Sequence, residues 1–134
     1  TILHDIRADD KETRSNQMPR YGIEKLMDEA QINDAAEFVL KLSNQKFDTA
    51  AAERGQKIFA EQCATCHGPE GKGLVERGAP NLTDGIWLYG GTKAAILDSI
   101  RTGRGGVMPA WGTRLDAVTV KSLTVYVHSL GGGR

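Results

Sequence analysis

The segment CATCH, Cys63 to His67, holds both cysteines of a 134-residue chain and one of its three histidines. Two thiols three residues apart, with an imidazole directly after the second, permit three chemistries. A redox dithiol follows a strand and opens a helix in a βαβ unit, and no such unit is legible around Cys63. A structural zinc site needs four protein ligands, usually with a second Cys/His pair at similar spacing. The remaining histidines, His4 and His128, are isolated and far apart in the sequence. Attachment of a c-type haem needs only what is present. Cys63 and Cys66 supply thioether bonds to the porphyrin vinyl groups, and His67 reaches the iron. The motif favours this third chemistry.

His67 fills one axial position, so a sixth ligand decides what the iron can do. An open position binds small molecules or activates oxygen, whereas a thioether closes the site and leaves electron transfer. Of the three methionines, Met18, Met27 and Met108, Met108 lies in GGVMPAWG. Glycines before it let the loop approach a flat ring closely, and Pro109 restricts the backbone after it. Methionine is also a common filler of core gaps. Beside a haem motif, the proline-flanked loop favours ligation. A soft, weakly donating thioether favours ferrous iron and a higher potential than a second imidazole would give.

The elements that must hold these residues read as helices. Between Ala50 and Gln62, Ala51, Ala52, Gly55, Ile58 and Phe59 share one arc at 100° per residue, with Glu53, Lys57 and Glu61 opposite. A second helix is expected over 92–102, with Thr92 as N-cap, Gly103 as stop and Ile96, Leu97 and Ile100 inward. A third is expected over 117–130, capped by Asp116, with Val120, Leu123, Tyr126, Val127 and Leu130 on its inner face. Upstream, Asp34 with Glu37 fits a capping box before FVLKL. Glycine-rich loops separate these segments, and no period-2 run is convincing. The expected fold class is all-α.

A chain of this length fits one small domain, with room for part of another. Only 40% of residues are hydrophobic and 6% aromatic, and a covalently held porphyrin would add apolar core. With 17 basic and 17 acidic residues the formal charge is zero, which argues against nucleic-acid binding. No apolar run approaches the roughly 20 residues that span a bilayer, and no signal peptide is visible. The start at Thr1, in what reads as the middle of a helix, suggests a piece of a longer polypeptide.

An internal repeat organises the chain. ILHDIR (2–7) pairs with ILDSIR (96–101), QMPRYG (17–22) with VMPAWG (107–112), and EFVLKLS (37–43) with VYVHSLG (125–131). Three blocks in the same order point to two homologous modules in tandem. Residues 1–48 are then the C-terminal remnant of a first module, and 49–134 a complete second one.

Taken together, CATCHG, GKG, GAPNLTD, WLYGG, VMPAWG and YVHSLGGG resemble class I cytochrome c, more specifically the dihaem cytochrome subunit (subunit III) of cbb3-type oxidases. The resemblance covers nearly the whole chain. It implies one covalent haem c at Cys63 and Cys66, His67 as proximal ligand and Met108 as distal ligand. It further implies that the Pro80 carbonyl accepts a hydrogen bond from the proximal imidazole. Gly55, Phe59 and Tyr126 match a contact between first and last helices. The departure is a missing first haem motif, which leaves Met18 resembling a ligand whose haem lies outside this chain.

The implied function is one-electron transfer from a donor cytochrome or membrane donor to the oxidase catalytic subunits, on the periplasmic side of the bacterial inner membrane. The chain itself would not be an enzyme. The alternatives are a tandem dihaem carrier or dehydrogenase cytochrome subunit, and a haem peroxidase or gas sensor with a labile methionine. Trp87, Tyr89 and Trp111 are candidates for haem contact, and Arg77, Arg101 and Arg104 for its propionates, although solvated arginines are commoner. His128 and His4 read as surface residues.

Overall fold

A computed structural model describes residues 17–131. The elements are α1 (Glu29–Leu42), α2 (Thr49–Ile58), α3 (Ala64–His67), α4 (Lys93–Thr102) and α5 (Ala117–Ser129). Among the described residues there is no strand, and an isolated bridge joins Leu74 and Ala79. The described chain is all-α.

Three of the expected helix starts are realised by their caps. The Thr92 side chain accepts the Ala95 N–H, and α4 stops at Gly103 in a left-handed conformation (φ 59°). Asp116 accepts the N–H groups of Val118 and Thr119 at the head of α5. Asp48 does the same for Ala51 at α2. Such caps satisfy amide donors that the first helical turn leaves open.

The expected capping box at Asp34 and Glu37 is not formed. Asp28 caps α1 instead, in a reciprocal box with Gln31, so the helix begins earlier and both acidic residues fall in its interior. There they are buried and bound by distant partners. Arg54 grips Asp34 with two 2.7 Å hydrogen bonds. Glu37 accepts the Asp48 N–H at 2.8 Å and pairs with Lys93 Nζ at 2.6 Å. Buried carboxylates persist when ionic and hydrogen-bond partners replace water.

The chain divides into two compact units. In the unit Met18–Arg104, α1 packs on α2 and α4. Its core includes Ile32, Phe38, Val39, Phe59, Ile96 and Ile100, with the Phe38 and Phe59 rings tilted at 5.1 Å. The helices meet closely at Gly55, where any Cβ would overlap the Asp34 carbonyl. The resemblance assigned Gly55 and Phe59 to a contact with the last helix, and here α1 makes it. Helix α1 carries the first copy of the repeated EFVLKLS/VYVHSLG block and so offers a similar apolar surface.

Helix α2 does not run straight to the cysteines. A π-helical turn, Phe59–Cys63, intervenes before α3. Its i→i+5 bonding inserts an extra residue, turning the segment that follows by about 100° relative to an unbroken α-helix.

The second unit is described over residue 17 and residues 105–131. Its described part is the Met108 loop, a turn and α5. In the turn, the Arg114 and Leu115 amides bond to the Trp111 carbonyl, and the Arg114 guanidinium lies 5.4 Å from the Trp111 ring centroid. Of the arc expected to be buried on α5, only Val120 is buried; Leu123, Tyr126, Val127 and Leu130 are exposed. An apolar arc is buried only where a complementary surface receives it.

Candidate cofactor-attachment site

Cys63, Cys66 and His67 sit where the π-helical turn passes into α3. Both thiols are free, Cys63 half-buried and Cys66 exposed. Burial, helped by the neighbouring Cys66, pushes the Cys63 thiol up to about 11, so it is a protonated S–H at neutral pH.

The His67 ring is buried, with 9% of the residue exposed. Its Nδ1 lies 3.0 Å from the Pro80 carbonyl oxygen. A carbonyl only accepts, so Nδ1 carries the proton and donates, and Nε2 keeps its lone pair. Among the described residues Nε2 has no hydrogen-bond partner. Burial lowers the imidazole pKa below its ordinary value, against the opposing pull of the Pro80 bond. Burial is the larger effect, so the neutral ring is favoured, held at one nitrogen with its metal-binding nitrogen available.

The loop that brings Pro80 back to His67 is tied locally. Gly73 N–H bonds the His67 carbonyl and Leu82 N–H the Gly71 carbonyl, each at 2.7 Å. The Asn81 side chain accepts from the Thr83 amide and hydroxyl.

One residue at this site escaped the sequence reading. Tyr21 is buried, and its hydroxyl donates to the Gln62 carbonyl at 2.7 Å. Burial, together with the negative potential of Cys63 and Cys66, pushes its phenol up to about 12. The available signal was its place in QMPRYG, opposite Trp111 in the repeat.

Cys63, Cys66, His67 and Pro80 all belong to the unit Met18–Arg104, as does Met18; Met108 belongs to the other. Met18 and Met108 are both half-buried. Trp87 is partly buried against the core, and Tyr89 lies beneath the Arg104 guanidinium at 5.5 Å. Arg101 is engaged by Glu29 at 2.5 Å and Arg104 by Asp98, so two of the three arginines considered for propionates pair with the chain's own carboxylates. Arg77 is exposed, as is His128, and His4 lies outside the described residues. Among the described residues no group of three or more His, Cys, Asp or Glu side chains could cage a metal ion.

The donor set therefore fits a covalently attached porphyrin: two free thiols at C-x-x-C spacing, followed by a neutral imidazole with Nε2 open. An all-α chain with this motif is a c-type cytochrome. Residues 50–127 match the family described as cytochrome c oxidase, cbb3-type, subunit III, and the chain belongs to that family.

The chain is 54% identical to the cbb3-type cytochrome c oxidase subunit FixP of Azorhizobium caulinodans, over 100% of its own length and 45% of the relative's. It is 48% identical to subunit CcoP of Cereibacter sphaeroides, covering 99% of this chain and 46% of that one. It is also 48% identical to CcoP of Azospirillum brasilense, covering 100% and 48%. The chain thus spans about half the length of the curated relatives it matches. Haem c and electron transport follow from the family. Among the described residues no helix is long and apolar enough to cross a membrane.

Proposed function

We propose that this chain is a one-electron carrier that serves the catalytic subunits of a cbb3-type oxidase. Cys63 and Cys66 would hold one haem c as thioethers, and His67 Nε2 and Met108 would bind its iron. The bound group supplies a reversible ferric/ferrous couple. Held by two ligands of the protein, the iron would exchange electrons and would not itself reduce oxygen. Electrons arrive from a donor cytochrome or a membrane donor on the periplasmic side of the inner membrane. Residues 1–48 act as the tail of a first cytochrome module, and a second haem belongs to the longer parent protein.

The observation that carries this reading is the state of His67. A buried imidazole tied at Nδ1 to Pro80 and left open at Nε2, one residue after a free C-x-x-C pair, is arranged for iron and for little else. Pro80 orients the ring and makes Nε2 a better donor. The loop that carries Pro80 is held by the main-chain bonds of Gly71 and Gly73.

The test is intact-mass spectrometry with a pyridine haemochrome assay on chain produced in a haem c-maturing host. One haem per chain is expected, and Cys63→Ser/Cys66→Ser chain should be colourless. Colourless native chain at its unmodified mass, with two reactive thiols, would refute the proposal. Mixing the reduced chain with the oxidase catalytic subunits then tests the partner, with re-oxidation as the expected result.

A further inference from the structure

The chain leaves His67 through GPEGKG and returns at Pro80, and Gly73 touches both ends of that excursion. Its N–H bonds the His67 carbonyl at 2.7 Å. On its other side lies the returning segment. A Cβ at this position would stand 2.5 Å from the Ala79 carbonyl oxygen, 2.9 Å from the Pro80 carbonyl carbon and 3.0 Å from the Asn81 nitrogen. All three are main-chain atoms, so no side-chain rotation relieves the overlap. Gly73 also has φ 78°, in the left-handed region that side chains disfavour. The approach is fixed by the bridge between Leu74 and Ala79, with the Ala79 N–H bonded to the Leu74 carbonyl at 3.3 Å. The Pro80 carbonyl in turn accepts from His67 Nδ1 at 3.0 Å. His67 is thus held at its main chain by Gly73 and at its ring by Pro80, and those two residues pack on one another.

We propose that Gly73 is a positioning residue for the iron ligand: by letting residues 79–81 close in, it fixes the Pro80 carbonyl on His67 Nδ1 and so sets the reduction potential of the haem. This rests on the haem reading above. The hydrogen bond from Nδ1 enriches the ring in electron density and makes Nε2 a stronger donor. A stronger donor favours ferric over ferrous iron, so the bond holds the potential down. A side chain at position 73 separates the two segments, lengthens the bond and raises the potential. Gly73 acts through Pro80 and needs no contact with the iron or the porphyrin.

The experiment uses the haem-loaded chain and reads its midpoint potential by redox titration, with exchange of the His67 Nδ1 proton followed by NMR of the ferrous form. Gly73→Ala should raise the potential and speed that exchange. Gly103→Ala is the control, because it too puts a side chain at a positive φ (59°) and against main-chain carbonyls, those of Met18 and Pro19 at the end of α4. It should lower the thermal midpoint and leave the potential unmoved. An unmoved potential in haem-loaded Gly73→Ala, or an equal rise in both variants, would overturn the proposal. If Gly73→Ala holds no haem, the native chain decides. Its Nδ1 proton should be protected from exchange, as the Gly73 amide is, and rapid exchange beside a protected amide would overturn the proposal. Absence of haem from the native chain would instead count against the proposed function.

Discussion

The Tyr21 hydroxyl and the Gln62 carbonyl, 41 positions apart, are joined by a 2.7 Å hydrogen bond immediately before the first cysteine of the motif. This bond couples the MP loop of the first repeat to the turn that presents Cys63. The pKa of the same phenol is pushed up to about 12 by burial and by the two nearby cysteines.

Spectrophotometric titration of the haem-free, thiol-reduced chain should accordingly show one tyrosine ionising near pH 12, absent in Tyr21→Phe. The sign follows from a folded pKa raised above the ordinary value of about 10. The contribution to stability is complete below that ordinary value and is lost as pH rises toward the folded one. At neutral pH, Tyr21→Phe should cost about 1 kcal/mol, the usual net worth of a hydrogen bond, measured by urea denaturation.

Gly55→Ala tests the approach of α1 to α2. In an exposed helix this change would stabilise by about 1 kcal/mol. Here the new Cβ would strike the Asp34 main chain, and overpacking of this kind destabilises by about 1–3 kcal/mol. Gly85→Ala, where a Cβ would meet nothing within 4 Å, should leave the thermal midpoint unchanged. Equal midpoints for the two variants would show that α1 does not seat on Gly55.

Glu37 holds α1 to two other elements at once, through the Asp48 amide and Lys93. Glu37→Ala should destabilise by about 2 kcal/mol, the range for a buried hydrogen bond to a charged group. Lys93→Met should also destabilise, because it leaves the carboxylate buried without its cation. In Glu37→Gln background the Lys93→Met penalty should shrink. A double-mutant cycle in denaturant measures this coupling, and strict additivity would contradict the pair.

In haem-free, thiol-reduced chain the His67 imidazole should titrate below its ordinary pKa of about 6.5, because burial disfavours its charged form. A depressed folded pKa means that stability is fully present above the ordinary value and declines as pH falls through the folded one. Imidazole C–H resonances followed against pH give the value directly. Titration of His67 at or above the ordinary value would show that the ring is not buried against the Pro80 loop.

Much of the local structure was legible in the residues. Thr92, Gly103 and Asp116 mark their helix ends because caps and stops are local chemistry, made within a few residues of the backbone groups they satisfy. The π-helical turn before Cys63 was not legible, since an uninterrupted apolar arc through Phe59 has the same residue pattern. The start of α1 was misplaced because Asp34 and Glu37 look like caps from neighbours alone. Their actual partners, Arg54 and Lys93, lie on other helices.

Spacing and side-chain type alone were enough for the C-x-x-C-H chemistry, the helical class and the presence of two similar MP-loop-and-helix segments. Tertiary packing decided which of those segments covers the Gly55–Phe59 face and shares a unit with His67. The reason is that both copies carry compatible apolar surfaces. A choice between near-equal partners depends on long-range contacts, here Asp34 with Arg54, Glu37 with Lys93 and Tyr21 with Gln62, which no local pattern encodes.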